Sequence, residues 1–579
     1  MPGHPRHRQA RERGGRRVEG LQDVDRRDVD GGHDGPVDQA PAQGAREGLD
    51  LGELGHPSSL APGGAAGRPA LAASPVRAHD RDVRAGLLQG EGEQERAGGV
   101  VLASPQGRAV LGASVCGSAV AFLDVQVVGV ALPTIGRELG AGLGVLQWTV
   151  NAYTLALAAL VLLGGSLGDR FGLRRVFTTG VVWFALASLA CAVAPSAGAL
   201  VAARAVQGVG AALLTPVSLA LLQSVLRPRD RARAIGLWSG TTTLATVAAP
   251  VVGGALVALD WRLVFALNVP VAAAAVVLAR RVPADRPARV PGPRGRALLS
   301  LDLGGAALGA LALGAGTWAL ITAGGSGASP AVLASGAAAV VLVAVFVLHE
   351  RRLARRGASP VVPPALFADR TFSVANGYTL LVYAALSGMG LLLALQLQVS
   401  LGYSPLQAGL ASLPSSLLLG VLSGRAGQLG QRLGVRTMLT AGAALGACGL
   451  ALLSGASPGD AYAAAVLPGV LVMGLGFSAL VAPLTAGVLA AAPQELAGAA
   501  SGVNNAVART AGLLSVAALP VLVGLSGEAY TDPELLTAGY RAGMLVCAGL
   551  VAAAAVLAGV LLPRRAGPTT GGTAPAAGG

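Results

Sequence analysis

Gly164–Phe177 reads GGSLGDRFGLRRVF and joins two long apolar runs. A glycine-rich turn carrying Asp169, Arg170, Arg174 and Arg175, hung between two segments that can each cross a bilayer, predicts a hairpin loop at a membrane surface. Gly165 opens that loop and Gly172 tightens it. The surrounding composition agrees: 579 residues with only 13% charged side chains and a mean hydropathy of +0.61 do not make a soluble surface.

Working outward, apolar runs long enough to span a hydrocarbon core of about 30 Å repeat through the chain. They lie near 109–130, 146–166, 176–194, 198–224, 232–257, 262–280, 301–322, 330–349, 373–400, 406–425, 436–455, 461–486, 499–524 and 540–562. The expectation is an all-α polytopic membrane protein of about 14 transmembrane helices. All 43 basic residues are Arg, and the net charge is +13. The first 104 residues hold 14 Arg against 16 acids, which leaves 29 Arg against 14 acids in the apolar part.

That excess alternates from loop to loop. One set carries Arg170, Arg174 and Arg175, then Arg227 to Arg233, Arg280 to Arg296, Arg351 to Arg370, Arg425 to Arg436, and Arg564 with Arg565. The opposite set has only Arg137, Arg262 and Arg541. Positive charge marks the cytoplasmic side, so both termini are expected there and a cell-membrane, multi-pass location follows. One inner loop, around Glu495, lacks Arg. No basic stripe with interleaved aromatics accompanies the charge, which argues against nucleic-acid binding. The four cysteines lie in apolar runs without a CxxC pair and read as small buried apolar residues.

Residues 1–104 contain no aromatic side chain and no apolar periodicity, so they cannot offset chain entropy and are expected to be disordered. A start at Val100 or Val101 is one reading of that segment; a His-rich metal-binding tail is another, although its five His show no ligand spacing.

An echo of the opening stretch occurs at Gly424–Leu439, GRAGQLGQRLGVRTML, where Gly434 and Arg436 match Gly172 and Arg174 while Gln431 stands where an acid would be. Such a repeat implies two related six-helix bundles with a site between them and, around 301–349, an inserted helix pair. The organisation expected is therefore a tail 1–104, a bundle 105–285, an inserted pair with linkers 286–370, a second bundle 371–565 and a tail 566–579.

Here the chain resembles the major facilitator superfamily, in its fourteen-helix drug:proton antiporter branch. Gly165–Arg175, GSLGDRFGLRR, is similar to the family's signature between helices two and three, with Gly165, Asp169, Arg170, Gly172, Arg174 and Arg175 all in place. LDVQVVGVALP from Leu123, LVAARAVQGVGAA from Leu200, APVVGGAL from Ala249, WRLVFALNVP from Trp261 and LGYSPLQAGLASLP from Leu401 add to the likeness, which covers about 105–562. The chain departs from the pattern at Gln126 and Gly129, where Thr and Asn are usual, and at Ala245 and Ala249, where Gly is usual. The resemblance implies a transporter, not an enzyme, with no cofactor and no metal. On that resemblance it is expected to export small amphipathic or hydrophobic compounds, drugs or secondary metabolites, in exchange for protons, with the lipid bilayer as its surroundings and a monomer as its working form. A proton-coupled importer or uniporter of the same fold remains open, as does an intramembrane enzyme, for which the membrane part offers only His349 beside Glu350. With no Lys there is no Walker A sequence, so ATP-driven transport by this chain is excluded.

Asp124 sits near the middle of the first run, where an ionised carboxylate costs about 2.5–3.5 kcal/mol. Burial disfavours its charged form, so it can take up a proton in one orientation of the carrier and release it when hydrated in the other. A plain helix-packing carboxylate is the competing reading. Arg204, in the fourth run, is assigned to proton coupling through Asp124 or through a network with Gln207, or else to pinning helix one to helix four. Arg509, beside Asn504 and Asn505, is a third buried charge. Asp169 and the Arg group are assigned a gating latch between bundles. Pro250, Gly253 and Gly254 are expected to let the fifth helix bend and approach a neighbour closely. Gln126, Gln147, Trp148, Tyr153, Gln207, Asn505 and Arg509 are candidate pocket residues, with Trp238, Gln396 and Gln398 added by residue type alone.

Overall fold

The computed structural model describes residues 99–283, 302–358, 360–493, 496–525 and 529–563. The expected tails up to residue 98 and from 566, and the arginines between 286 and 296, lie outside these residues. Fourteen helices are long and apolar enough to cross a membrane: α1 Pro105–Leu139, α2 Leu143–Phe171, α3 Leu173–Ala192, α4 Ala197–Val225, α5 Pro228–Leu259, α6 Leu263–Arg280, α7 Leu303–Ser326, α8 Pro330–Arg355, α9 Arg370–Ser400, α10 Pro405–Leu433, α11 Val435–Leu453, α12 Tyr462–Ala490, α13 Gly498–Leu522 and α14 Pro533–Leu561. Among the described residues extended pairing is confined to one isolated bridge, Val100 with Leu226.

Helix starts follow local chemistry. Ser104, Ser196, Ser329, Asp369 and Ser404 each turn a side-chain oxygen onto a free amide of the first turn, and Ser404 forms a full capping box with Gln407. Pro270 has no N–H to give the Ala266 carbonyl, and α6 is accordingly broken at Leu267, with Asn268 opening its second part.

α1 to α6 pack together as one bundle and α9 to α14 as another, while α7 and α8 pair with each other and α7 lies against α2 and α13. The two bundles meet mainly along two seams, α2 on α13 and α5 on α10. This is the architecture of two six-helix bundles with an inserted pair.

Three expectations need correction. Residues 99–104 are ordered: Val100 exchanges backbone hydrogen bonds with Val225 and Arg227 (2.9 and 3.1 Å), and the Leu102 amide donates to Asp230 Oδ2 at 3.0 Å. The supposed hairpin loop Gly164–Phe177 is nearly all helix, interrupted only at Gly172, whose φ of 95° is open to glycine alone at low cost. Its other glycines serve packing, since a Cβ on Gly164 would strike the Ala212 carbonyl and one on Gly168 would sit 2.9 Å from Val217 on α4. The echo has the same build, helix, Gly434 at φ 89°, helix. Finally, Cys448 is exposed on α11 and Cys116 half-buried, so only Cys191 and Cys547 are buried apolar fillers.

Candidate functional site

At mid-height in the first bundle one polar cluster is sealed from solvent. Asp124 on α1, Arg204 and Gln207 on α4, Ser188 on α3 and Asn268 on α6 are each at most 2% exposed. Arg204 Nη1 donates to Asp124 Oδ2, and Asp124 Oδ1 accepts from Gln207 Nε2 at 2.8 Å and from Asn268 Nδ2 at 2.9 Å. The same guanidinium donates to Gln207 Oε1 at 2.6 Å and, through Nε, to the Thr149 carbonyl of α2 at 3.1 Å. Ser188 Oγ accepts from Gln207 and Asn268, and the Cys191 thiol faces Gln207 Oε1.

Five of the bundle's six helices therefore contribute to one polar cluster, and α4 and α6 donate directly to its carboxylate. Apolar walls complete the shell: the Tyr153 ring lies 4.4 Å below the Arg204 guanidinium carbon and the Phe265 ring 5.8 Å away. A buried ion pair is tolerated where each of its charges is matched and hydrogen-bonded, as here. Asp124 thus accepts from three donors, one of them the guanidinium of Arg204.

Sequence reasoning singled out Asp124, Arg204, Gln207 and Tyr153, which the fold brings together. It missed Ser188, Asn268 and Thr149. Asn268 had a signal, an amide beside Pro270 inside an apolar run; Ser188 and Thr149 had none, because small hydroxyl residues are ordinary in membrane helices.

The other candidates are distributed differently. Gln147 is buried in the α2–α13 seam, where its Nε2 donates to the Val516 carbonyl at 2.7 Å and the Ala517 carbonyl at 3.2 Å. Gln398 crosses from α9 to the Val130 carbonyl of α1 at 2.9 Å. Tyr530 donates to the Ala141 carbonyl at 2.6 Å. Gly254 and Gly409 interlock α5 with α10, because a Cβ on either would strike the other helix's backbone, at Pro405 and Pro250 respectively, while Gly253 meets Val127 on α1. The fifth helix runs unbroken through Pro250, so this motif provides close approach and not a break.

These cross-bundle contacts lie at the end of the molecule holding the C-terminus of α1, while α2 and α13 also touch farther along the seam, at Leu162 and Gly502. Toward the opposite end, where Gly172 sits, α5 and α10 part beyond Thr243 and Gly420, and Gly236, Gly240, Thr241, Val421, Gly424 and Arg425 are exposed. Gln126 and Asn505 are exposed, and Trp148 and Arg509 half-buried. Gln396 holds Ala456 and Thr537 within the second bundle, and Trp238 donates to Ser118 within the first.

In the signature stretch, Asp169 is exposed. Arg174 donates to the Val282 and Arg280 carbonyls at 2.8 and 3.2 Å and so ties the end of α6 to the start of α3. Arg175 is exposed.

The Major Facilitator Superfamily profile matches residues 115–517. The chain is 35% identical over 460 residues to the puromycin resistance protein pur8 of Streptomyces alboniger, covering 76% of this chain and 89% of that protein. It is 37% identical over 413 residues to the methylenomycin A resistance protein of Streptomyces coelicolor, covering 70% and 84%. The cephamycin export protein CmcT of Amycolatopsis lactamdurans is 35% identical over 453 residues, 76% and 89%. Among solved structures, the POT family transporter PepTSo superposes with a TM-score of 0.57 at 15% identity, over 78% of this chain and 97% of that one.

Proposed function

From the premise that this chain belongs to the Major Facilitator Superfamily, a family of membrane transporters and not of enzymes, we propose that it exports small amphipathic compounds by proton antiport across the cell membrane. Relatives bearing resistance and export names support the direction. The observation that carries proton coupling is Asp124, a carboxylate at mid-membrane held directly by α4 and α6 and, through Arg204 and Gln207, tied to α2 and α3, so that its protonation state and the bundle's packing are linked.

With the arginine-rich face at the cytoplasm, the conformation is inward-facing: the outer end is closed by Gln147, Gln398, Tyr530 and the Gly254–Gly409 crossing. In this state Asp124 has given up its proton and is latched by Arg204. The compound enters between the bundles and the carrier rocks outward. A proton from outside then adds to the carboxylate and removes its charge from Arg204. That loosens the α1–α4 tie and biases the carrier to return, and the proton leaves to the cytoplasm before the network closes around Asp124 again. Asp169 would latch the bundles only in the outward-facing state, when the inner ends close. The carrier works as a monomer with both termini cytoplasmic.

Inverted vesicles acidified inside test this. Adding a transported compound is expected to drain the proton gradient in the wild type and not in Asp124→Asn. A gradient that holds in the wild type while the compound accumulates would point to a uniporter of the same fold.

A further inference from the structure

Arg509 is the charged group that proton coupling leaves unused. It stands at the middle of α13, half-buried, and among the described residues it has neither an ion pair nor a hydrogen bond. An arginine at the bilayer centre costs about 2.5–3.5 kcal/mol, which a partner must offset. Among the described residues no acid is placed to do so. Asp124 is taken by Arg204, and the other acids of the spans, Glu138, Asp169, Asp230, Glu350 and Glu534, lie within about two turns of a helix end.

The seam fixes what Arg509 faces. Gln147 against Val516 at one end and Leu162 against Gly502 at the other set α2 and α13 antiparallel in register. Residues 502, 506, 509, 513 and 516 then share the α2-facing stripe of α13, and 147, 151, 154, 158 and 162 the α13-facing stripe of α2. Arg509 comes level with Thr154, and Asn151 one turn nearer the closed end. Asn151 is fully buried, and neither its Oδ1 nor its Nδ2 has a partner. A buried primary amide with both ends unmatched costs free energy unless something else completes it. Asn505, one turn toward the open end on the same helix face, is exposed.

We propose that Arg509 and Asn151 bind an acidic group of the exported compound, so that the substrates are amphipathic anions. The assignment rests on the export reading above and adds the substrate's charge. A guanidinium presents paired N–H groups to a carboxylate, and in a site walled by apolar helices that pairing is stronger than in water. The amide N–H of Asn151 supplies a further donor to the same oxygens, and Asn505 marks the approach from the open end.

Three probes on one fluorophore separate charge from hydrophobicity: dansyl-aminoundecanoic acid, its methyl ester, and the matching quaternary ammonium. They are titrated onto the full-length protein in lipid nanodiscs at pH 7.5 with no gradient. The acid is expected to bind at least about tenfold tighter than the other two. Arg509→Gln is expected to erase that preference without lowering the thermal midpoint, Arg509→Lys to keep part of it, and Asn151→Ala to weaken the acid alone. A wild type that takes the ammonium best, or takes the acid no better than the ester, overturns the assignment, as does an Arg509→Gln protein that still prefers the acid. The outcome is separable from antiport. Acid preference without proton movement in vesicles removes the antiport reading only, and proton movement driven by the ammonium removes this one only.

Discussion

Arg204 and Arg509 are the two arginines at mid-membrane, one in each bundle, and their surroundings are opposite. Arg204 is 1% exposed, paired with Asp124, bonded to Gln207 and the Thr149 carbonyl, and stacked on Tyr153. Arg509 has no such partner among the described residues and lies half-open at the seam. The second bundle's own polar cluster is uncharged: Asn504 donates to Asn376 Oδ1 at 3.2 Å and to Thr379 Oγ1 at 2.8 Å. A charge completed by its own bundle makes a structural joint that a proton can undo. A charge left incomplete makes a place for something from outside. On the proposed mechanism the repeated halves divide the work, and the first bundle carries Asp169 where the second carries Gln431.

The hardest test of that contrast is stability. Arg204→Gln strands the Asp124 carboxylate in an apolar shell, and removal of one partner of a buried pair costs about 3–5 kcal/mol. Arg509→Gln strands nothing. Thermal unfolding in nanodiscs is expected to show a large drop for the first and none for the second; equal drops would mean that Arg509 also has a structural partner.

Next in size is the coupling between Asp124 and Arg204. Asp124→Asn is expected to abolish proton-driven export. The double variant Asp124→Asn with Arg204→Gln is expected to be less destabilised than the sum of the singles by about 1–3 kcal/mol, while remaining inactive. Additive losses would show that the two residues act separately, and recovered transport would remove the proton role.

The crossing of α5 and α10 follows. Gly254→Leu or Gly409→Val cannot fit against the facing backbone, so the outer end is expected to open. A cysteine introduced at Gln126 should then be labelled from outside by an impermeant maleimide several-fold faster. Labelling unchanged in both variants would mean that the seam is not what closes the outer end. Gln147→Ala and Gln398→Ala remove hydrogen bonds worth about 1 kcal/mol each and are expected to shift the same labelling rate by about fivefold at most.

Much of this was legible before any coordinates. Helix spans could be read because run length and hydropathy are local properties that a bilayer enforces, and the structure moved mainly their ends, as at α1 and α10. Buried charge was legible for the same reason: Asp124, Arg204 and Arg509 stand out in apolar runs. The signature stretch was misread as a loop because glycine letters do not distinguish a residue needing positive φ, as Gly172 does, from one that admits a neighbouring backbone, as Gly164 does. Which polar groups meet is set by distant helices, so Ser188, Thr149 and the cross-bundle reach of Gln147 and Gln398 were not visible. Asn151 was passed over because an unmatched amide is defined by what is missing around it.

A third charged cluster tests whether burial, and not mere pairing, sets the Asp124 joint apart. At the end of the inserted helices Asp302 caps α7 through Gly305 N at 2.7 Å and meets His349 Nε2 of α8 at 2.7 Å. Burial pushes the Asp302 carboxyl up, but the Gly305 amide, His349 and Glu350 outweigh it and hold its pKa below the usual 3.8. A depressed folded-state pKa contributes stability that is present above the unfolded value and lost as pH falls through the folded one. The Asp302 side chain is only 3% exposed but its partner His349 is one-third exposed, so the pair meets bulk water through the histidine. Acid titration below about pH 4 is therefore expected to loosen α7 from α8, followed by the fluorescence of Trp318 on α7, with the change absent in Asp302→Asn. The sealed Asp124 network has no such access in this conformation, so a fluorophore beside it should not respond in the same pH range. A simultaneous response at both places would mean that the first bundle is not closed to water, and the contrast between its paired arginine and the open one in the second bundle would lose its physical basis.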